Sequence, residues 1–375
     1  MVEVHAAARF DISSPLRSRH AVVAAALPAA CNKLGKGCGA SPPAAGPDDD
    51  GDGTLPPPPP PPPAPRDSAA AATVHASGAA VEQRTPGARP PAALVASFDG
   101  LGAGFIGPQG EASLRNPSDN SIAVGPNHIV EIVNSRMAVF TKKGTMFDTT
   151  GRVLYGPVVT NTIFAGFGGP CEHSTSGDAV VRYDQLALRW LYVLPIFRRP
   201  ADDSTGPYSM CYAVSTGADP LGPYARYEFK RPLFPDYPRP AIWTDGYYLP
   251  TSTGDHVIQK HACVADRSKM LQGLPATEQC VIIDGVSFLN MADIDGLELP
   301  PPGASDVIIA DGGTQLHKIF DDSALYVYQF HVDWHTPANT RVTGPDTIRV
   351  APYHFLCDGQ LTSCVPQPNT DRRLD

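Results

Sequence analysis

The sequence predicts an all-β chain built from β-propeller-like repeats behind a disordered Pro/Ala-rich leader. Three observations carry this. Beyond Leu94, short runs of Val, Ile, Tyr, Phe and Trp alternate with Gly, Pro, Asp and Asn, the pattern of brief strands and tight turns. No stretch shows a long amphipathic helical period. One pattern also recurs: an aspartate, a short strand, a polar turn, then a second strand rich in aromatic and branched residues. It opens at Asp119, Asp178 and Asp236, 59 and 58 residues apart. A four-stranded unit recurring at this interval is the mark of a propeller blade. A β-sandwich is the alternative, and it requires no internal repeat.

Before Leu94 lie 17 of the 41 prolines and a single aromatic residue, Phe10. So little apolar surface cannot offset the entropy of ordering, so residues 1–93 are expected to be disordered and 94–375 to form the folded domain. Within the leader, Arg17-Ser-Arg-His20, the apolar run Ala21–Ala30 and Cys31 read as a signal or lipoprotein segment over 17–31, with Cys31 as the lipidated residue. Pro28 and the sixteen residues ahead of Arg17 depart from that pattern, and an alanine-rich tail is the competing reading. Asp48–Gly53 opens like a calcium loop, but position twelve would be Pro59. A solvated acidic linker accounts for it better. The linker 56–65 holds eight consecutive prolines, Pro56–Pro63, a stiff spacer.

A formal charge of −9 with no basic stripe argues against nucleic acid or anionic membrane as partners. No apolar run approaches the roughly 20 residues that span a bilayer. Six of the eight cysteines follow Leu94. Sequence neighbours suggest disulfides Cys171–Cys211, Cys263–Cys280 and Cys357–Cys364, in an oxidising, extracytoplasmic compartment. Zinc is the weaker alternative, for want of a C-x2-C pair or histidines at finger spacing. Asp266–Gly273 is expected to form one helical turn ending at its glycine.

The segments Asn116–Asn134 (around Val124-Gly-Pro-Asn-His128), Gly166-Phe-Gly-Gly-Pro-Cys-Glu172, Asp178–Trp190, Cys211–Ser215, Asp219–Gly222, Asp236-Tyr-Pro238, Trp243–Tyr248 and Cys357–Pro366 resemble a family of exported, largely uncharacterised bacterial proteins with propeller-like repeats. The resemblance covers nearly all of 94–375. It implies architecture and export, and a chain that continues past the equivalent of Pro366. It implies no mechanism. A fourth repeat is expected at Gln315–Phe330, delayed by an insertion carrying Cys280 and Pro300–Pro302.

The blade-opening Asp119, Asp178 and Asp236 are the candidates for catalysis, as acid and base on a glycoside, and for calcium, through oxygen ligands. Their structural reading is acceptance of backbone amides at turns. His331 and His335 stand at i, i+4, but on a strand that spacing exceeds 13 Å, which disfavours shared ligation. There is no G-x-S-x-G elbow, and Gly166–Gly169 lacks the lysine of a phosphate loop. Trp243, Tyr247, Tyr248, Tyr237, Tyr224 and Tyr227 are either a sugar-stacking surface or core, and core is the favoured reading. The leading function is an exported or surface-tethered binding or scaffold protein, its partner an extracellular protein or a glycan. A carbohydrate-active hydrolase using channel aspartates is the first alternative, and a non-functional fragment of a longer propeller the second.

Overall fold

The structure is a computed structural model that describes residues 2–19, 87–90, 92–112, 118–197, 208–252, 259–284, 286, 288–296, 298–311, 324–351, 365–366 and 373–374. The chain is all-β. Four consecutive antiparallel meanders dominate it. The first runs β5 (Asn120–Val124), β6 (His128–Val133), β7 (Arg136–Thr141) and β8 (Val153–Val159). The second is β9 (Val180–Asp184), β10 (Arg189–Ile196), β11 (Tyr208–Ser215) and β12 (Tyr224–Arg231). The third is β13 (Ala241–Ile242), β14 (Tyr247–Ser252), β15 (Gln259–Ala265) and β16 (Thr277–Asp284). The fourth is β17 (Leu289–Met291), β18 (Asp306–Asp311), β19 (Ala324–His331) and β20 (Arg341–Arg349).

The period-two rule explains how these sheets stack. Along β10, Trp190, Tyr192, Leu194 and Ile196 join the first sheet's Val130, Ile132, Met137 and Val139 in one core. The intervening Leu191 and Val193 face the other way, with Met210, Tyr212, Tyr227 and Phe229, against Ile242, Tyr247 and Leu249 of the third sheet. Tyr248, Ala262 and Val264 of the third sheet then pack on Leu289, Ile308, Tyr326, Tyr328 and Phe330 of the fourth. A strand buried on both faces reads as a near-continuous apolar run, and that is why β10 is Arg-Trp-Leu-Tyr-Val-Leu-Pro-Ile. The first sheet's remaining face is covered by Phe98, Leu101, Phe105 and Ala112. The far face of the fourth sheet leaves Ile309 and Ile348 41% and 51% exposed.

The leader departs from expectation at its start. Residues 2–19, placed by composition in the disordered region, form β1 (Val2–Ala6), β2 (Arg9–Ile12) and a short 3-10 turn at Leu16–Arg19. β1 adds to the outer edge of the third sheet, pairing Glu3 with Cys280, and β2 to the outer edge of the second, pairing Phe10 with Tyr227. Composition misses these strands because an edge strand is held by its backbone ladder, and needs little apolar side chain of its own. Asp11 adds a bidentate pair with the buried Arg226, at 2.7 and 2.6 Å. The run 20–31 with Cys31, the acidic loop and the linker 56–65 lie outside the described residues.

The fourth repeat also starts earlier than expected. Its sheet opens at Leu289, and Pro300–Pro302 lie in the connection from β17 to β18 rather than in an insertion ahead of the unit. Ala324–Phe330, expected to be a second strand, is the third. Residues 315–323 lie outside the described residues.

Among the described residues two disulfides are formed: Cys171–Cys211, joining α1 (Pro170–His173) to β11, and Cys263–Cys280, joining directly opposed residues of β15 and β16. Cys357 and Cys364 lie outside the described residues. The glycines before Cys171 serve a turn: Gly166, Gly168 and Gly169 all have φ between +70° and +79°, and Glu172 accepts the amides of Gly166 and Gly168. Gly125 has a different reason. A Cβ there would lie 2.8 Å from the Trp190 ring, which packs over the β5–β6 turn. The expected helical turn is α2 (Arg267–Gln272), capped by Asp266 accepting the Lys269 amide and closed by Gly273 at φ +65°.

Candidate functional site: an acidic cleft between the third and fourth sheets

The three blade-opening aspartates each stand just ahead of the first strand of a sheet, β5, β9 and β13. Asp119 and Asp178 both adopt positive φ, +35° and +49°, and after Asp236 it is Tyr237 that does so, at +48°. Short polar side chains tolerate that region by local hydrogen bonding. Asp119 accepts the side-chain amide of Asn134 at 2.9 Å, and Asp236 accepts the amide of Tyr237. Among the described residues, no metal-ligating group of three side chains within 4.8 Å includes any of them.

Carboxylates do gather elsewhere. The turn Trp243–Gly246 between β13 and β14 and the loop after β17 enclose a cleft of about 550 Å³, lined by Trp243, Asp293, Asp295, Gly296, Glu298 and Leu299 among others. Asp293 is fixed in place. Its Oδ1 accepts the Ile242 amide at 2.7 Å, and its Oδ2 lies 3.9 Å from Arg182 Nε. The loop is pinned by Gln185, whose amide donates to the carbonyls of Ile294 and Gly296. Trp243 donates its indole N–H to the Ala304 carbonyl, tying the turn to the start of β18. Burial raises the Asp293 carboxyl above the usual range, against the Ile242 amide and Arg182, which lower it, and with Asp295 adding to the rise.

Behind the cleft lies Asp306, fully buried at the start of β18. Desolvation pushes its carboxyl up to about 8. The amides of Val307 and Ala292 oppose that shift, while Asp245 and Asp293 reinforce it. Asp245 is itself raised by burial and accepts the Tyr248 hydroxyl at 3.2 Å. Its backbone carbonyl accepts the indole of Trp334 at 2.8 Å. Trp334, Asp245, His331, Asp333, His335 and Arg341 belong to an adjoining cleft of about 390 Å³. The two histidines line one cleft although strand spacing would separate them, because β19 ends at His331.

The aromatic residues are mostly core. Tyr224, Tyr227, Tyr247 and Tyr248 are fully buried, and Trp243 offers only a 9% edge to the cleft. Tyr237 alone is exposed, stacked edge-on against Phe288. The carboxylates that line this cleft, Asp293, Asp295 and Glu298, come from the loop after β17 rather than from the residues that open each repeat. The sequence signal for them was Asp293-Ile-Asp295-Gly-Leu-Glu298, an acidic run inside a segment read as an insertion.

No protein-family model matches the sequence, and no curated protein matches it. Among solved structures, the fold is similar to two of a substituted exo-β-1,3-galactanase from Phanerochaete chrysosporium with β-1,3-galactotriose, at 12% identity and a TM-score of 0.32. The likeness covers 65% of this chain and 52% of the galactanase, so the chain spans about half that enzyme's length.

Proposed function

We propose that this chain is an extracytoplasmic binding protein of β-propeller-like architecture, whose cleft at Trp243, Asp293, Asp295 and Glu298 takes a hydroxyl-rich ligand, a glycan. Four stacked meanders support the architecture. Two disulfides support the compartment, and among the described residues no helix is long and apolar enough to cross a membrane. The observation that carries the ligand class is the placement of three carboxylates and an indole edge around one cleft. Carboxylates accept hydrogen bonds from neighbouring hydroxyls, and an aromatic edge packs on the apolar side of a sugar ring.

The test is affinity electrophoresis and calorimetry on a panel of neutral polysaccharides, with the parent chain and with Asp293→Asn and Asp295→Asn. Retention by the parent that both variants lose is expected. A parent retained by no neutral glycan would remove the proposal. Repeating the panel in chelator and then in calcium reads whether the same carboxylates hold that ion.

Hydrolysis is the second reading, favoured by one observation: burial, with Asp295 adding to it, raises the Asp293 carboxyl in a cleft lined by further carboxylates, the direction a general acid needs. Reducing-end release from the same panel, abolished by Asp293→Asn, is the expected result on this reading. Binding without release assigns the cleft to recognition alone.

A further inference from the structure

His261 is the least satisfied polar side chain at the interface of the second and third sheets. It is fully buried on β15, and neither ring nitrogen has a hydrogen-bond partner among the described residues. Such a group is unfavourable unless something is missing from its surroundings. Two residues along the same strand face is Cys263, and directly across the ladder is Cys280. The imidazole and the two sulfurs lie within 4.8 Å of one another. A fourth donor is close: Glu3 of β1, opposite Cys280, has Oε2 3.9 Å from His261 Nε2.

We propose that Cys263, Cys280 and His261 form a binding site for a soft divalent cation, Zn²⁺, when the cystine is reduced, with the Glu3 carboxylate in reach as the fourth ligand. Two thiolates and an imidazole are a zinc donor set, and a carboxylate oxygen or water completes the tetrahedron. The oxidised pair cannot serve, since a disulfide sulfur carries no thiolate charge. A dithiol supplies the reduction. Its thiolate attacks one cystine sulfur and expels the other, its second thiol then displaces the attacked sulfur from the mixed disulfide, and it leaves as a cyclic disulfide while the protein gains two electrons and two protons as a pair of thiols. Zn²⁺ then displaces those two protons and takes the imidazole lone pair, satisfying the histidine. Because β1 is an edge strand with Glu3 part-exposed, its opening is the route by which reductant and metal reach buried sulfurs. One pair of cysteines is thus either a covalent staple or a metal clip, according to the redox state around it.

The experiment uses the full chain with Cys31, Cys38, Cys171, Cys211, Cys357 and Cys364 replaced by serine, so that thiols elsewhere do not compete. After reduction by dithiothreitol and anaerobic desalting, Co²⁺ is titrated as a spectroscopic stand-in for Zn²⁺. One equivalent giving thiolate charge-transfer and tetrahedral d–d bands, displaced by Zn²⁺ and absent from the oxidised chain, is expected. His261→Ala should weaken binding at least tenfold, and Cys263→Ser with Cys280→Ser should abolish it. The same bands persisting in Cys263→Ser with Cys280→Ser, or His261→Ala binding as tightly as the parent, overturns the site. Circular dichroism and the thermal midpoint guard against unfolding. Zn²⁺ must raise the midpoint of the reduced chain and leave the oxidised one unchanged. A reduced chain that loses its β signal and is not restored by Zn²⁺ also overturns it.

Discussion

Removing the carboxylate of Glu278 is expected to destabilise the chain more than any other single polar substitution between the second and third sheets. Arg231 of β12 and Glu278 of β16 are both fully buried and pair bidentately, at 2.9 and 2.5 Å. The Tyr212 hydroxyl donates to the same carboxylate at 2.7 Å and accepts from Arg231 at 3.2 Å. Glu278→Ala leaves a guanidinium in an apolar interface with one phenol for company. Breaking one side of a buried pair costs about 3–5 kcal/mol, far more than the pair itself contributes over an apolar substitute. At roughly 2–4 °C per kcal/mol for a domain of this order of size, Tm should fall by about 10 °C. Tyr212→Phe removes one hydrogen bond and should cost only about 1 kcal/mol. The decisive comparison is Arg231→Met with Glu278→Leu, which removes both charges. It should recover most of the loss, to within about 1 kcal/mol of the parent. Calorimetric melts of the four variants read the series. A double variant as unstable as Glu278→Ala would refute the reasoning, because the loss would then lie in packing and not in an orphaned charge.

Three further outcomes are expected. Asp306 binds its proton more tightly folded, at about 8, than at its ordinary value of 3.8. Its stabilisation is therefore complete below about pH 4 and lost as pH rises to about 8. Asp306→Asn should flatten that slope in urea melts between pH 4 and 8, gaining at most about 6 kcal/mol over the parent at the alkaline end. An unchanged slope would place the Asp306 carboxyl in the ordinary range. Cys171→Ser with Cys211→Ser releases a cross-link 40 residues apart in sequence, worth about 4 kcal/mol by loop entropy, and should lower the urea midpoint accordingly. Asp11→Ala strips the bidentate partner from Arg226, which keeps the Ile163 and Ala165 carbonyls, and should cost about 1–3 kcal/mol. Proteolysis should then cut within residues 2–19 before any sheet opens, and equal resistance in parent and variant would show that the pair does not hold β2.

Much of this fold is legible because each sheet lies between neighbours. Burial on both faces leaves long apolar runs, and the turns between them need Gly, Pro and Asp. That is why the first three repeats read from Asp119, Asp178 and Asp236 as strand, turn and strand, and why Asp266 to Gly273 reads as a capped helical turn. The fourth repeat was misplaced because its inner strand is three residues long, Leu289–Met291, too short to leave a period. The cleft carboxylates were missed because Asp293, Asp295 and Glu298 sit in a loop. Their meaning comes from the Ile242 amide and Arg182, some 50 and 110 residues away in sequence. The His261 cluster was missed because its two cysteines read as a disulfide and no spacing ties His261 to them. Only the register of β15 on β16 puts them on one face.

The N-terminal strands link these separate observations. β1 and β2 occupy the outer edges of two adjacent sheets, so one short segment covers two rows of backbone groups that would otherwise invite pairing with another chain. Their side chains act at the same interface that holds the buried Arg231–Glu278 pair and the Cys263–Cys280 cystine: Glu3 reaches His261, His5 pairs with Glu3 at 3.3 Å, and Arg9 approaches Glu228. A segment so engaged belongs to the folded unit despite a composition that reads as leader.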